Sequence, residues 1–415
     1  MPDQTLSFVM VGHIDHGKST LIGRLLYDTG SLSAGKIQEI EAAARAEGKP
    51  LEYGFVMDHL HEERARGITI DTAQTFFSSD ARDYVIIDAP GHKEFIKNMI
   101  TGASQAEAAV LLCSVSEGVQ EKTKRHAYVI RLLGLEQVMV AYNKMDLVDY
   151  DQERFEGVRR DMNEWLARLG VQASIEVPIS AREGDNVANR SENMPWYDGP
   201  TLVDALDLLE KIPHATSKRL RFPVQDVYAH DGEQFVVGRV ESGTVKRGQS
   251  IRFLPGGQVQ TVREVRQFMR EDMPEAVAGE CVALLLDGEP PQRGQVGCPE
   301  DSKAAMTSRL RASVFWLAPE PLTLTKDTDG LALRCATQET PCRAAELVER
   351  VDSGSLAHLP TDEGTLGETE VGEMVIETES PVVVESFYDV QELGRFVLVK
   401  GHSVVAGGIV TQPEG

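Results

Sequence analysis

No cysteine in this chain has a neighbour at metal or redox spacing, and no apolar run is long enough to cross a bilayer. The five cysteines, Cys113, Cys281, Cys298, Cys335 and Cys342, are scattered, with no C-x-x-C pair. A zinc ribbon, a dithiol redox centre and a disulfide framework are therefore not expected, and buried, reduced thiols are. The longest apolar stretch, Ala108-Ala109-Val110-Leu111-Leu112-Cys113, falls far short of the roughly 20 residues of a spanning helix. The first residues show no basic segment followed by an apolar one, so no secretory signal and no membrane partner are expected, and the reading is a cytoplasmic protein. Positive charge is scarce as well. Against 65 Asp and Glu stand 42 Lys and Arg, a net charge of −23. That balance argues against a protein wrapped by nucleic acid over its whole surface and leaves room only for a local basic patch.

The most informative stretch is Gly12-His13-Ile14-Asp15-His16-Gly17-Lys18-Ser19, which fits G-x-x-x-x-G-K-[ST] at every required position. Leu6 to Val11 before it reads as a short buried strand. Ser19 to Tyr27 after it, starting Ser19-Thr20-Leu21-Ile22, has apolar residues at helical spacing. Strand, loop and helix in that order are the context a phosphate-cradling loop needs. Gly12 and Gly17 let the backbone approach phosphate oxygens, so successive N–H groups and the helix N-terminus point at negative charge. Lys18 supplies a point charge to the outer phosphates, and the Ser19 hydroxyl is placed to bind Mg²⁺.

With 415 residues, two or three domains are expected. Residues 31–64 are charged and helix-prone. Next comes Arg66-Gly67-Ile68-Thr69-Ile70-Asp71, whose Thr69 is a candidate second hydroxyl for Mg²⁺. His59, His61 and Glu62 have no further ligand at zinc spacing and read as a solvated helix. Tyr84 to Ile87 reads as a strand running into Asp88-Ala89-Pro90-Gly91-His92. Asp88, at the end of that strand, is a candidate magnesium carboxylate. Gly91 can offer its N–H to a γ-phosphate, and His92 can reach an attacking water.

The strand Val138 to Tyr142 leads into Asn143-Lys144-Met145-Asp146, and these residue types select a base. Guanine presents two adjacent donors that the Asp146 carboxylate can accept, whereas adenine would aim a lone pair at it, a costly mismatch in a buried site. Asn143 can hydrogen-bond the base edge and the Lys144 stem can lie over the ring. A further strand, Ser174 to Ile179, ends in Ser180-Ala181, where a backbone N–H can meet the guanine carbonyl. One N-K-x-D means little alone; in order after a phosphate loop and D-x-P-G it points to GTP/GDP as ligand and to GTP hydrolysis.

Strands alternating with helices to about residue 210 imply a mostly parallel sheet with helices on both faces and nucleotide at the strands' carboxyl ends. The helix Thr201 to Leu209 closes this α/β domain, assigned to residues 1–212, and Lys211 to Lys218 reads as a linker. From Leu220 the pattern becomes short strands and tight turns, with Gly232, Gly243, Gly248 and Gly256-Gly257 as punctuation. Two all-β barrels are expected, at 219–302 and 307–415. Thr361 to Glu379 is acidic and reads as a solvated loop and edge strand. Trp316 reads as core, and neither barrel carries a catalytic constellation.

The phosphate loop, Arg66–Asp71, Asp88–His92, Asn143–Asp146 and Ser180–Ala181, followed by two barrels, resemble the translation-factor class of GTPases along the whole chain. Asn193-Met194-Pro195-Trp196-Tyr197-Asp198-Gly199-Pro200-Thr201-Leu202 and Arg221–Tyr228 narrow the resemblance to one branch. It holds the tRNA-carrying elongation factors of archaea and eukaryotes and the GTPase (large) subunit of bacterial ATP sulfurylase. The resemblance implies Thr69 as the switch threonine on Mg²⁺, His92 as the water-positioning residue, and Ile14 and Ile68 as an apolar gate beside it. It also implies that Asp15 helps hold charge near the β–γ bridge.

Within the branch the features divide. His13-Ile14-Asp15-His16 and Asp88-Ala89-Pro90 look more like the elongation factors. Val314-Phe315-Trp316-Leu317-Ala318-Pro319-Glu320-Pro321-Leu322 and the short route from Arg343 to Leu356 resemble the sulfurylase subunit. Residues 302–415 hold roughly twice as many acids as bases, a poor surface for a tRNA backbone. The reading taken is the sulfurylase subunit, with the small adenylyl-transfer subunit as partner. This chain has no H-x-G-H, no S-G-G-x-D-S and no second phosphate loop, so adenylyl transfer would belong to that partner. The alternatives are a carrier of aminoacyl-tRNA to the ribosome and a stand-alone regulatory GTPase.

Overall fold

The computed structural model describes residues 5–32, 35, 37–38, 53, 73–88, 106–210, 218–230, 232–267, 270–302, 304–324 and 330–414. The chain forms two compact units, Met1–Lys211 with Ser353–Ser355, and Ile212–Asp352 with Leu356–Gly415. Among the described residues no helix is long and apolar enough to cross a membrane.

The first unit is built on a six-stranded sheet. Its strands are β1 (Leu6–Gly12), β2 (Ala73–Ser78), β3 (Asp83–Asp88), β4 (Ala108–Ser114), β5 (Gln137–Asn143) and β6 (Ala173–Pro178), in the order β2-β3-β1-β4-β5-β6. Only β2 runs antiparallel. The central strands read as unbroken apolar runs because both faces are covered. Every residue of β4 is buried, including the Ala108–Cys113 run, as expected of parallel strands between helical layers. Phe8, Leu21, Leu25, Ile86 and Leu112 belong to one core cluster, in which Phe77 stacks on Tyr84 at 4.7 Å.

Among the described residues, four helices accompany the sheet: α1 (Lys18–Asp28), α2 (Glu121–Leu132), α3 (Gln152–Arg168) and α4 (Leu202–Asp207). The Asp151 carboxylate caps α3 by accepting from the Arg154 amide at 2.6 Å. Thr201 and Asp204 form a reciprocal capping box on α4, which starts the expected Thr201–Leu209 helix one residue late. It also ends earlier, with Leu208 as C-cap.

The second unit carries two barrels. The first has β7 (Phe222–His230), β8 (Glu233–Arg239), β9 (Thr244–Lys246), β10 (Ser250–Leu254), β11 (Val259–Gln267), β12 (Arg270–Met273), β13 (Glu275–Val277), β14 (Cys281–Leu286) and β15 (Val296–Pro299). The sheet runs β10-β15-β7-β8-β14-β11-β12, and pairing of β10 with β11 closes it around Phe222, Val236, Phe253 and Leu284. The second barrel uses β16 (Met306–Trp316), β18 (Leu331–Cys335), β19 (Gln338–Asp352), β21 (Glu370–Val383), β22 (Arg395–Lys400) and β23 (Ser403–Glu414), closed as β16-β21-β19-β18-β22-β23. A small pair, β17 (Leu322–Thr323) with β20 (Thr365–Leu366), lies outside it.

Two expectations are corrected here. In the acidic stretch Thr361–Glu379 the loop is where it was expected, but Glu370–Glu379 is not an edge: it belongs to β21, which sits between β16 and β19 inside the closed barrel. Its acids alternate with buried Val371, Met374 and Ile376, and they are neutralised across the strands. Glu370 accepts from Arg350 at 2.6 Å, Glu373 from Arg311 at 2.9 Å, and Glu377 pairs with Arg309 and Arg343. Charge counting along one strand missed partners that only register supplies. The thiols are all free, but Cys281 is exposed while the other four are buried. Trp316 is core, as expected, with its indole N–H donating to the Glu320 carbonyl at 2.7 Å.

Candidate nucleotide site

The site starts where β1 ends. Gly12 closes the strand, Ile14–His16 make a single 3-10 turn with His13 as its cap, and Gly17 opens α1 in the left-handed region at φ 88°. A side chain at Gly17 would be strained on that ground alone, and a Cβ there would lie 2.6 Å from the Asn143 amide nitrogen. At Gly12 a Cβ would lie 2.9 Å from the Leu112 side chain and carbonyl. The loop is thus pressed against the carboxyl ends of β4 and β5 with no room to spare.

The first amides of α1 have no intrahelical carbonyl to reach, so Lys18, Ser19 and Thr20 present the helix N-terminus to whatever lies in the loop. Ser19 is exposed, and Lys18 and Thr20 are half-buried. The backbone fits a polyphosphate: a loop cleared of Cβ atoms, a helix N-terminus and a lysine at its mouth.

Asn143 lies at the end of β5 and is buried. Its amide donates to the His16 carbonyl at 2.8 Å, and its side-chain carbonyl accepts from the Ala181 amide at 2.9 Å. The Asp146 carboxylate accepts from the Ser180 hydroxyl at 2.7 Å. Lys144 holds the left-handed conformation at φ 68°, and its ammonium donates to Glu117 at 3.0 Å. These bonds bring Gly12, His13, Asp15, His16, Gly17, Lys18, Ser19 and Thr20 to the same sheet edge as Asn143, Lys144, Asp146, Ser180 and Ala181. Open α/β sheets bind their ligands at that edge.

Other expected positions lie outside the described residues: Thr69, Ile68, Gly91, His92, and His59, His61 and Glu62. Asp88 ends β3, in register with Met10 of β1, but its side chain and that of Ile14 are also outside them.

One residue at this edge was missed in the sequence. Glu117 follows β4 and reaches the loop, with its Oε1 at Lys144 and its Oε2 3.8 Å from the His16 Nε2. Burial pushes its carboxyl up, but the Lys144 bond and charge outweigh that and hold it below the ordinary glutamate value. His16 is fully buried, and burial holds its ring below the ordinary histidine value despite the Leu112 carbonyl and Glu117. The signal available beforehand was position alone, an acid just past the carboxyl end of a fully buried strand.

The elongation factor Tu GTP binding domain matches residues 3–214, elongation factor Tu domain 2 matches 234–299, and the GTP-eEF1A C-terminal domain-like family matches 309–411. The chain belongs to the elongation factor Tu and elongation factor 1-alpha family of GTPases. It is 39% identical to Elongation factor 1-alpha of Methanopyrus kandleri, over 99% of this chain and 98% of that one. It is 36% identical to the protein of that name from Methanosphaerula palustris, over 99% and 97%, and 37% to that of Thermococcus celer, over 98% and 97%.

As a family member this GTPase binds GTP and GDP with its α/β domain and carries two barrels behind it. The sulfurylase reading, with its small adenylyl-transfer subunit as partner, is overturned: the relatives just given, alike over nearly the full chain, are all named Elongation factor 1-alpha. The structure explains how the Val314–Leu322 segment misled. It is the end of β16 and the turn after it, where Trp316 is buried and bonds back to Glu320. Residues held by such packing report on the barrel and not on a partner.

Proposed function

We propose that this GTPase carries aminoacyl-tRNA to the ribosome in its GTP state and leaves after hydrolysis. The observation that carries the reading is likeness to proteins named Elongation factor 1-alpha over 97–99% of both chains, barrels included. The working divisions are 1–212 for nucleotide and 219–302 and 307–415 for the barrels, and the compartment is the cytoplasm.

In this reading Gly12 to Thr20 hold the phosphates through backbone N–H groups, with Lys18 against the outer oxygens. Asp146 reads guanine and Lys144 leaves Glu117 to lie along the base. The expected bond from a Ser180–Ala181 N–H to the guanine carbonyl is not available as the structure stands, because those amides donate to Asp185 and Asn143; Ser180 and Ala181 instead orient Asp146 and Asn143. Ser19 fits a magnesium ligand, since its hydroxyl stands exposed at the helix start; Thr69 and Asp88 complete the set. The ion would supply charge neutralisation to the phosphates. His92 orients water, Ile14 and Ile68 shield it, and Asp15 holds charge near the bond that breaks.

The test is filter binding of charged and uncharged tRNA to the full chain with GTP analogue or GDP, at physiological salt, beside GTP turnover with and without ribosomes. Charged tRNA should bind tightly only in the GTP state, and ribosomes should raise turnover. Equal, weak, salt-sensitive binding of both tRNAs would overturn the carrier role. It would favour a stand-alone regulatory GTPase, a reading helped by the acids that pair the arginines of the second barrel.

A further inference from the structure

We propose that His13, His16 and Glu117 form a site for one transition-metal ion of the zinc class, separate from the magnesium that accompanies the nucleotide. One ligand atom from each lies within 4.8 Å of the other two. The inference does not depend on tRNA carriage.

His16 carries the argument. Its Nδ1 lies 3.1 Å from the Leu112 carbonyl. A carbonyl only accepts, so Nδ1 bears the proton, and in the neutral ring Nε2 is a bare lone pair. That Nε2 is fully buried, has no hydrogen-bond partner, and faces the Glu117 Oε2 at 3.8 Å. A lone pair aimed at a carboxylate oxygen, without a proton between them, is unfavourable for both. A cation between them resolves it. Metal-bound histidines commonly hold their other ring nitrogen in this way, N–H to a backbone carbonyl, which fixes tautomer and ring direction.

The carboxylate is divided to match. Oε1 accepts from Lys144 at 3.0 Å, leaving Oε2 toward His16. Metal–ligand bonds of about 2.0–2.2 Å put two ligand atoms roughly 3.4 Å apart on a tetrahedral ion. The 3.8 Å pair therefore needs little closure, with the partly exposed Glu117 end and the His13 ring moving in on a fixed His16. Two imidazoles and one carboxylate, with a fourth place for water, suit zinc, cobalt or nickel and not a hard cation such as magnesium. A cation already stands nearby: the Lys122 ammonium lies 2.8 Å from the His13 Nε2. It sits on a long, mobile side chain that a divalent ion would displace.

The experiment titrates Co²⁺ and Zn²⁺ into the tag-free full chain, by calorimetry and by visible absorption for Co²⁺. One equivalent should bind, with the absorption of a low-coordinate cobalt that Zn²⁺ abolishes and millimolar Mg²⁺ does not. Glu117→Gln and His13→Gln should each weaken binding at least tenfold. Lys122→Ala should tighten it severalfold, a gain that misfolding cannot produce. Sub-stoichiometric binding, displacement by Mg²⁺, or the same affinity in Glu117→Gln and Lys122→Ala as in the parent would each overturn the site.

Discussion

Asn143 donates to the carbonyl of His16 at 2.8 Å, so the residue that opens the base-reading motif also holds the phosphate loop in place. Its other end takes the Ala181 amide. Replacing it with Ala strands a buried carbonyl and a buried N–H, at about 1–3 kcal/mol each. Asn143→Ala is expected to weaken GDP and GTP alike, by about tenfold or more, in fluorescent-nucleotide titrations. Loss confined to GTP would contradict this, because both bonds hold the loop and base motif that GDP and GTP share.

Base choice is expected to rest on Asp146. Ser180 already orients its carboxylate, at 2.7 Å. Asp146→Asn should weaken GTP and admit xanthosine triphosphate, whose carbonyl replaces guanine's amine and can accept from the new amide. Unchanged GTP affinity would show that another group reads the base.

Hydrolysis is expected to need His92 more than binding does. His92→Ala should keep GTP affinity within a few-fold and cut stimulated turnover by about a hundredfold or more, since water positioning acts on the transition state. Lys18→Ala should lose both, because it removes charge from ground and transition states together. Parallel loss of affinity and rate in His92→Ala would make that residue structural.

The nucleotide edge was legible because its residues are diagnostic in kind and fall in a fixed order. Gly12, Gly17 and Lys18 needed no contacts to be read, and the structure puts them beside Asn143 and Asp146. Glu117 was not legible, since its role comes from β4 lying beside β1 and no local pattern marks it. The barrels were visible as strands and glycine turns, but Glu370, Glu373 and Glu377 read as solvated acids until register placed Arg309 opposite Glu377 and put Arg311 and Arg350 within diagonal reach of Glu373 and Glu370. The elongation-factor branch was written in the phosphate loop, at His13 and His16. A turn held by Trp316 and an acid count over 302–415 pointed the other way; the turn reflects barrel packing.

Glu241 is expected to contribute to the pH dependence of the second unit. Its amide donates to the Arg221 carbonyl at 2.9 Å, and burial pushes its carboxyl up to about 7, from 4.5, against the pull of Arg239 and with a further push from Glu392. The folded state therefore keeps a proton that the unfolded chain has lost between those two values. The stability this group contributes is fully present below about pH 4.5 and is gone once pH has risen through about 7. Above that, a carboxylate sits where the fold prefers a neutral group. Glu241→Gln supplies the neutral group at every pH. It is expected to leave thermal stability at pH 5 nearly unchanged and to raise it at pH 8 by on the order of 1–2 kcal/mol, a few degrees in Tm. Melting curves of parent and variant at pH 5, 6.5 and 8 read the difference directly. A gain of equal size at all three would mean that the amide helps through packing and that the buried charge has no part in it.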